Sequence, residues 1–276
     1  MNNILGGIVT FNPEIDRLEK NIKNIYNQVE KIIIIDNNSK NRNKIKELIE
    51  KYDNIVCVYN DNNLGIAKAL NQLLDYAQQY NFDWTLTLDQ DSICSSNMIN
   101  ILKKYYNKCE YKENIGILSP SILDENINSC LEEEYNNIEY PETVITSGSL
   151  INTKIAFEIG KFLDKLFIDY VDHEFCLRLN KNGYSIVKLN EAKLYHQLGE
   201  TTEHKILWKK IKTSNHSSMR RYYIYRNAIY VHKMYKKYFP NWCRYDKRKL
   251  LISLGNIILF EKQKINNINN IAKGIF

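Results

Sequence analysis

No two of the six cysteines in this 276-residue chain form a CxxC pair, and their positions, 57, 94, 109, 130, 176 and 243, follow no metal-ligand spacing. That excludes a zinc knuckle and a disulfide framework, and it fits a reducing compartment. Prolines number only four, and there is no long linker, internal repeat or low-complexity tract, so one compact core with an appendage is expected. Neither GxxxxGK[ST] nor GxGxxG occurs, which removes the phosphate-gripping loops of P-loop kinases and dinucleotide-dependent dehydrogenases. The chain enters an apolar, strand-like run within four residues, without the basic flank and small-residue cleavage site of a secretory leader. Nothing there is expected to send it outward.

Acids are missing from the last quarter. Residues 205–276 hold 17 Lys+Arg against 2 Asp+Glu, a balance of +15, whereas residues 1–204 hold 21 against 30, or −9. The net charge of +6 hides two regions that should face different partners.

Short β-rich apolar runs at residues 4–11, 31–35, 54–59 and 84–88 read as buried strands, alternating with amphipathic helical segments. The clearest helix follows Asn63-Leu64-Gly65 and puts Ile66, Leu70, Leu73, Leu74 and Ala77 on one face. Strand and helix in alternation imply an α/β fold with a parallel sheet. Residues 115–118 and 144–151 read as further strands, with an acidic solvated loop at Glu132, Glu133 and Glu134 between them. Residues 171–182 read as a helix, 184–189 as a strand, and 217 onward as basic, aromatic-rich helices, which places a boundary near residue 210: 1–210 and 211–276.

Ligands of such sheets bind outside the carboxyl ends of the strands. Those ends are polar here: Thr10-Phe11-Asn12-Pro13, Asp36-Asn37-Asn38-Ser39, Asn60-Asp61-Asn62-Asn63 and Asp89-Gln90-Asp91. In the last, two carboxylates one residue apart leave a strand together, as suits a hard cation that also takes substrate phosphates; a solvated turn is the plainer reading. Asp36 could accept from a base or ribose, or simply close an Asx-turn. Asp169, Asp172 and Glu174 stand at the start of a helix, where the macrodipole favours acids, so capping competes with a general-base role. His196, after the strand-like Ala192-Lys193-Leu194-Tyr195, is a candidate metal ligand or a structural histidine, and His173 reads as helix surface.

In combination these segments resemble a family-2 glycosyltransferase with the GT-A fold, in its bacterial rhamnosyltransferase-like branch. The resemblance rests on Val9-Thr10-Phe11-Asn12, Asp36-Asn37-Asn38-Ser39, Asn62-Asn63-Leu64-Gly65-Ile66-Ala67 with Asn71, and Asp89-Gln90-Asp91. It continues in Asp172-His173-Glu174-Phe175-Cys176-Leu177-Arg178 with Gly183-Tyr184, then His216-Ser217 and residues 220–227. It implies a Rossmann-like, mostly parallel sheet flanked by helices, with a basic helical C-terminal extension. It implies that Thr10, Asn12 and Asp36 meet the nucleoside, that Asp89 lies near the ribose or a metal-bound water, and that Asp91 ligates Mg²⁺ or Mn²⁺ with His196 completing the site. Asn38, Asn63, Gly65, Asn71, Ser147, Arg221 and Tyr222 join the donor site by the same likeness. Asp172 matches the base of inverting members; the family usually carries an acid just before it, where Val171 stands here, so Asp169 is the alternative base.

The implied activity is an inverting, metal-dependent transfer from dTDP-rhamnose or a UDP-hexose to a glycan or lipid-linked hydroxyl in cell-surface polysaccharide synthesis. A sugar-nucleotide nucleotidyltransferase would need a basic, glycine-rich N-terminal loop, which Gly6-Gly7 inside the first strand does not supply. A nucleic-acid-binding module is the reading from another class, since Arg and Tyr suit phosphates and stacking; nucleic acid is not the expected partner. Residues 205–276 are expected to meet an anionic membrane surface, on the inner face of the cell membrane. Their apolar run at 250–260 is too short to span and would lie in the interface, unless it docks on the core or on a second subunit.

Overall fold

The computed structural model describes residues 1, 3–124, 137–196, 201–206, 209–214, 216–261 and 263–275. Glu132, Glu133 and Glu134 lie outside the described residues. The first half alternates as expected: β1 (Ile4–Thr10), α1 (Ile15–Ile25), β2 (Lys31–Asp36), α2 (Arg42–Ile49), β3 (Ile55–Tyr59), α3 (Ile66–Gln79) and β4 (Trp84–Asp89). There follow β5 (Ile93–Cys94), α4 (Met98–Lys108), β6 (Ile115–Asp124), β7 (Ile138–Glu139), β8 (Ser149–Asn152), α5 (Thr153–Glu158), α6 (Val171–Lys181) and β9 (Ser185–His196). A hairpin of β10 (Thr201–Ile206) and β11 (Lys209–Ser214) leads to α7 (Ser218–Tyr235), α8 (Pro240–Phe260) and α9 (Lys264–Ile275). Residue 210 falls within β11.

The main sheet runs β3-β2-β1-β4-β8-β6-β9-β5, with β7 on β9. Its first four strands are parallel, while β8 is antiparallel to both β4 and β6. The period of two along β2 sorts its isoleucines: Ile32 and Ile34 enter the core under α1, α2 and α4, and Ile33 and Ile35 the core under α3 and α6. Leu70, Leu73, Leu74 and Ala77 fill the second core, as the 3.6 period of α3 predicts. Register then aligns the strand ends, because Thr10 pairs with Asp36, Asp36 with Tyr59, and Val9 with Asp89. The polar residues that follow are therefore held at one sheet edge.

Two elements differ from the sequence expectation. The strand expected over 144–151 is confined to Ser149–Asn152, because Gly148 takes a left-handed φ of 82° and its N–H donates to Thr87 O at 2.8 Å. The strand expected over 184–189 runs on to His196, paired beyond a bulge with β6 and then with β5.

The C-terminal helices pack on α6. Tyr170, Leu177, Ala228, Val231, Tyr235 and Trp242 form a third core, threaded by a buried polar network. Glu174, wholly buried, accepts from Tyr235 Oη at 2.7 Å and from Arg178 at 2.8 and 2.9 Å. Asp246 accepts from Tyr170 Oη and from His232 Nε2, both at 2.7 Å. A fourth cluster of Tyr225, Ile257 and Ile271, with Leu250 and Leu254 beside it, joins α7, α8 and α9. The apolar run at 250–260 thus docks one side on its own chain. Its other side is bare: Leu251, Ile252, Ile258 and Leu259 are exposed.

Candidate active site

A cleft of about 870 Å³ opens at the aligned strand ends, lined by Thr10, Asn37, Gly65, Asp89, Asp91 and the segment 167–173, together with His196, His216 and Arg220. Its centre is an acid cluster with a histidine. Ligand atoms of Asp89, Asp91 and His196 all lie within 4.8 Å of one another. Strand pairing explains the meeting: β5 opposite β9 sets Ile93 against Tyr195, which brings the next residue, His196, beside Ser92. His196 Nδ1 is 2.9 Å from Ser92 Oγ, which is 2.7 Å from Ser147 Oγ, which accepts from Asp89 N at 3.0 Å. A hydroxyl on one ring nitrogen fixes the imidazole's orientation, as outer partners of metal-ligating histidines do. Two carboxylates and an imidazole form a donor set that suits Mn²⁺, and Mg²⁺ through its oxygens.

Burial pushes the Asp89 carboxyl up to about 6; His196 counters this, while the nearby Asp91 and Asp172 reinforce it. Such crowding of acids is costly without a cation. Burial, with Arg220 and Arg221 nearby, drives His216 down to about 4, so its ring faces the cleft neutral.

The loop before α6 lines the same cleft. Phe167, Asp169 and Tyr170 have φ of 57°, 62° and 63°, a left-handed turn that non-glycine residues adopt only when held. The holding is done by α7. Asn227 Nδ2 donates to the carbonyls of Leu166, Ile168 and Asp169 at 2.7, 2.8 and 2.9 Å, and Arg226 donates to Lys165 O at 2.6 Å. Arg220 grips Asp169 bidentately at 2.9 to 3.2 Å. Asp172 lines the same cleft and accepts at 2.8 Å from His173 N. Asp169 is thus committed to a guanidinium, whereas the Asp172 contacts leave its carboxylate facing the cleft.

The donor-side residues divide. Thr10 lines the cleft and donates to Asp36 Oδ1 at 3.0 Å, while Asp36, wholly buried, also accepts at 3.0 Å from the backbone N–H of Ser39, three residues on. Asn12 N donates to Ser39 Oγ at 2.7 Å, outside the cleft lining, and Asn38 is exposed with φ of 69°. Asn63 and Gly65 line the cleft. Gly65 has φ of 84°, and a Cβ there would stand 2.5 Å from the Phe167 ring, so only glycine admits that approach. Asn71 lies beneath the site, bonded to both Phe162 N and O at 2.9 Å. Ser147, 1% exposed, braces the triad from behind.

Arg221 and Tyr222 sit away from the cleft. Arg221 is 2% exposed and bonded to Glu261, and the Tyr222 ring packs against Tyr223. The arginine on the cleft is Arg220. His173, read as helix surface, instead lines the cleft, its ring 5.3 Å from those of Tyr170 and Trp242, because the left-handed turn at 167–170 rotates the start of α6 inward. Sequence reasoning also passed over Asn37, 3% exposed, which donates to Gly65 O at 3.1 Å, and Ser92. Asn37 stands inside a motif already singled out and Ser92 directly after one, which was their available signal.

Comparison with known proteins agrees with this geometry. Residues 7–119 match Glycosyl transferase family 2. The chain is 29% identical over 297 residues to the dTDP-rhamnosyl transferase RfbF of Shigella flexneri, covering 99% of this chain and 93% of that protein. Among solved structures, GalNAc-T7 with UDP, GalNAc and Mn²⁺ superposes with a TM-score of 0.65 at 12% identity, over 98% of this chain and 54% of that one. S. aureus TarS superposes with a TM-score of 0.63 at 13% identity, over 99% of this chain and 81% of that one. At these identities the structural likeness speaks for the fold, and the sequence matches for the family. The fold is that of GT-A glycosyltransferases, residues 7–119 resemble glycosyl transferase family 2, and over nearly its whole length the chain is similar to a bacterial rhamnosyltransferase.

Proposed function

We propose that the protein is an inverting, metal-dependent transferase that moves a sugar from a nucleoside-diphosphate donor, dTDP-rhamnose before a UDP-hexose, to a hydroxyl of a glycan or lipid-linked acceptor in cell-surface polysaccharide synthesis. The observation that carries this reading is the Asp89, Asp91 and His196 cluster lining one cleft with Asp172. The relative named as a dTDP-rhamnosyl transferase supports the donor, and the Mn²⁺ bound in GalNAc-T7 supports the cation.

In this reading Thr10, Asn37, Asn63 and Gly65 receive the nucleoside side of the donor, and Arg220 and the neutral His216 stand toward its diphosphate. Mg²⁺ or Mn²⁺ would be held by Asp91 and His196 beside Asp89, and when bound supplies Lewis-acid stabilisation of the departing diphosphate. Asp172 takes the proton of the acceptor hydroxyl while that oxygen bonds to the anomeric carbon from the face opposite the diphosphate. The bond from carbon to the diphosphate oxygen breaks, the configuration inverts, and a nucleoside diphosphate leaves. The acceptor would be met at the inner face of the cell membrane, with residues 205–276 against an anionic surface.

Calorimetric titration of dTDP-rhamnose with and without Mn²⁺ tests the assignment. The wild-type protein should bind only with the cation, and Asp91→Ala should lose that binding. Donor binding of unchanged cation dependence in Asp91→Ala would show the metal site to be misplaced.

A further inference from the structure

The acids of the C-terminal region are withdrawn from its surface. Residues 205–276 contain only Asp246 and Glu261 as acids. Asp246, 8% exposed, is bonded to Tyr170 and His232; Glu261, 6% exposed, is bonded to Arg221 and Asn267. The outer surface of α7, α8 and α9 consequently carries cations without exposed acids among the described residues. Lys233, Lys236, Lys237, Arg244, Lys247 and Arg248 are all exposed.

The exposed side of α8 is ordered along its length. Trp242, Asp246, Leu250, Leu254 and Ile257 turn inward at helical spacing. On the opposite arc, Arg244, Lys247 and Arg248 occupy the first half, and Leu251, Ile252, Ile258 and Leu259 the second. Leu251 and Leu259 are 69% and 64% exposed. On α9, Ile265, Ile268 and Ile275 repeat at spacings of three and seven and are exposed as well, Ile265 at 77%. Bare large aliphatics on two successive helices, beside an all-cationic surface, are not the ordinary scatter of single apolar side chains. No described helix is long and apolar enough to cross a membrane.

We propose that the outer face of α8, continued by α9, docks flat on an anionic lipid leaflet, with Leu251, Ile252, Ile258 and Leu259 inserted at the headgroup boundary and Arg244, Lys247 and Arg248 against lipid phosphates. The proposal rests on the membrane contact in the proposed function and names the surface that makes it. Charge complementarity selects the occupant. A second copy would bring the same cations opposite one another, whereas an anionic leaflet satisfies the cations and the aliphatics together.

Flotation of the full-length protein with vesicles of phosphatidylglycerol and phosphatidylcholine tests this. The wild-type protein should float at low salt, stay down with phosphatidylcholine alone, and be released at high salt. Leu251→Ser with Leu259→Ser should abolish flotation. Lys247→Gln with Arg248→Gln should weaken it about five-fold for each charge removed. Both variants should keep cation-dependent donor binding in calorimetry, which separates failure of the docking surface from failure of the transferase reading. Flotation of Leu251→Ser with Leu259→Ser equal to wild type would overturn the proposal. So would a wild-type protein that stays down with anionic vesicles, or one that is dimeric in solution and made monomeric by Leu251→Arg, which would give the face to a second copy.

Discussion

The cleft acids of residues 1–204 and the acids of residues 205–276 are held in opposite ways. In the first, with a balance of −9, Asp89, Asp91 and Asp172 are brought together at a cleft and left with polar neighbours in place of full ion pairs. In the second, at +15, the two acids are buried and bonded on arrival. The contrast shows in their protonation. Burial drives Asp89 up to about 6, with more acids nearby. Burial also raises Asp246, but hydrogen bonds from His232 and Tyr170 outweigh it and hold that carboxyl below the ordinary range. The cleft gathers acids without full ion pairs; the C-terminal region pairs its two acids internally and leaves a cationic exterior.

The largest effect expected from disturbing this arrangement is on turnover. Asp172→Asn should keep donor affinity within a few-fold and lower turnover by roughly 10²-fold or more, the range of a lost general base. Near-normal turnover in that variant, with loss in Asp169→Asn, would move the base to the carboxylate that Arg220 holds.

Next comes the buried pair of the basic region. Arg221→Met should destabilise the protein by about 3 kcal/mol, because it strands Glu261 away from water, and should leave donor affinity unchanged. Denaturant unfolding alongside calorimetry checks both. A loss of donor affinity at unchanged stability would return Arg221 to the donor site that the sequence suggested.

Asn227→Ala should cost about 1–3 kcal/mol by leaving backbone carbonyls without their donor, and should lower kcat more than it raises the donor KM, since it frees the loop before Asp172. Equal changes in kcat and kcat/KM for a surface control such as Lys233→Ala would argue that the effect is not local.

The smallest effect is a matter of pH. A raised Asp89 pKa means that the folded cation-free protein is favoured by protonation, so this carboxyl's burden grows as pH rises from about 4 through about 6. A cation competes with that proton, so Mn²⁺ should raise the melting temperature more at pH 7.5 than at pH 5. Equal shifts at the two values would remove Asp89 from the cation's surroundings. Asp246 has the opposite sign: its lowered pKa contributes stability above about 4 and loses it as pH falls further.

Much of the fold was legible because it rests on local periodicity. The four-isoleucine run at residues 32–35, the α3 face and the polar strand ends translate directly into a sheet, a helix and a rim. Asp89 and Asp91 were legible for the same reason, being one residue apart at a strand end. What depended on long-range register was harder. The residue spacing alone does not reveal that an antiparallel β5 sets Ser92 beside His196, 104 residues later. Choosing Arg220 over Arg221 requires the phase of α7, whose mixed charges and aromatics leave no clear apolar stripe to set it. The inward turn of His173 follows from left-handed backbone at three non-glycine residues, which carries no residue signature because α7 imposes it from outside.

That imposition has a consequence for the order of synthesis. The strands of the main sheet, the Asp89-Gln90-Asp91 turn and Asp172 all precede residue 200, yet the side chain that pins the loop before Asp172 is Asn227. On the proposed reading, a chain emerging from the ribosome would bring Asp89, Asp91 and His196 together before it could pin the loop that leads to Asp172, and would be complete as a transferase only after α7 had cleared the exit tunnel. The helices that look like an appendage in composition are, in time, the step that switches the catalyst on.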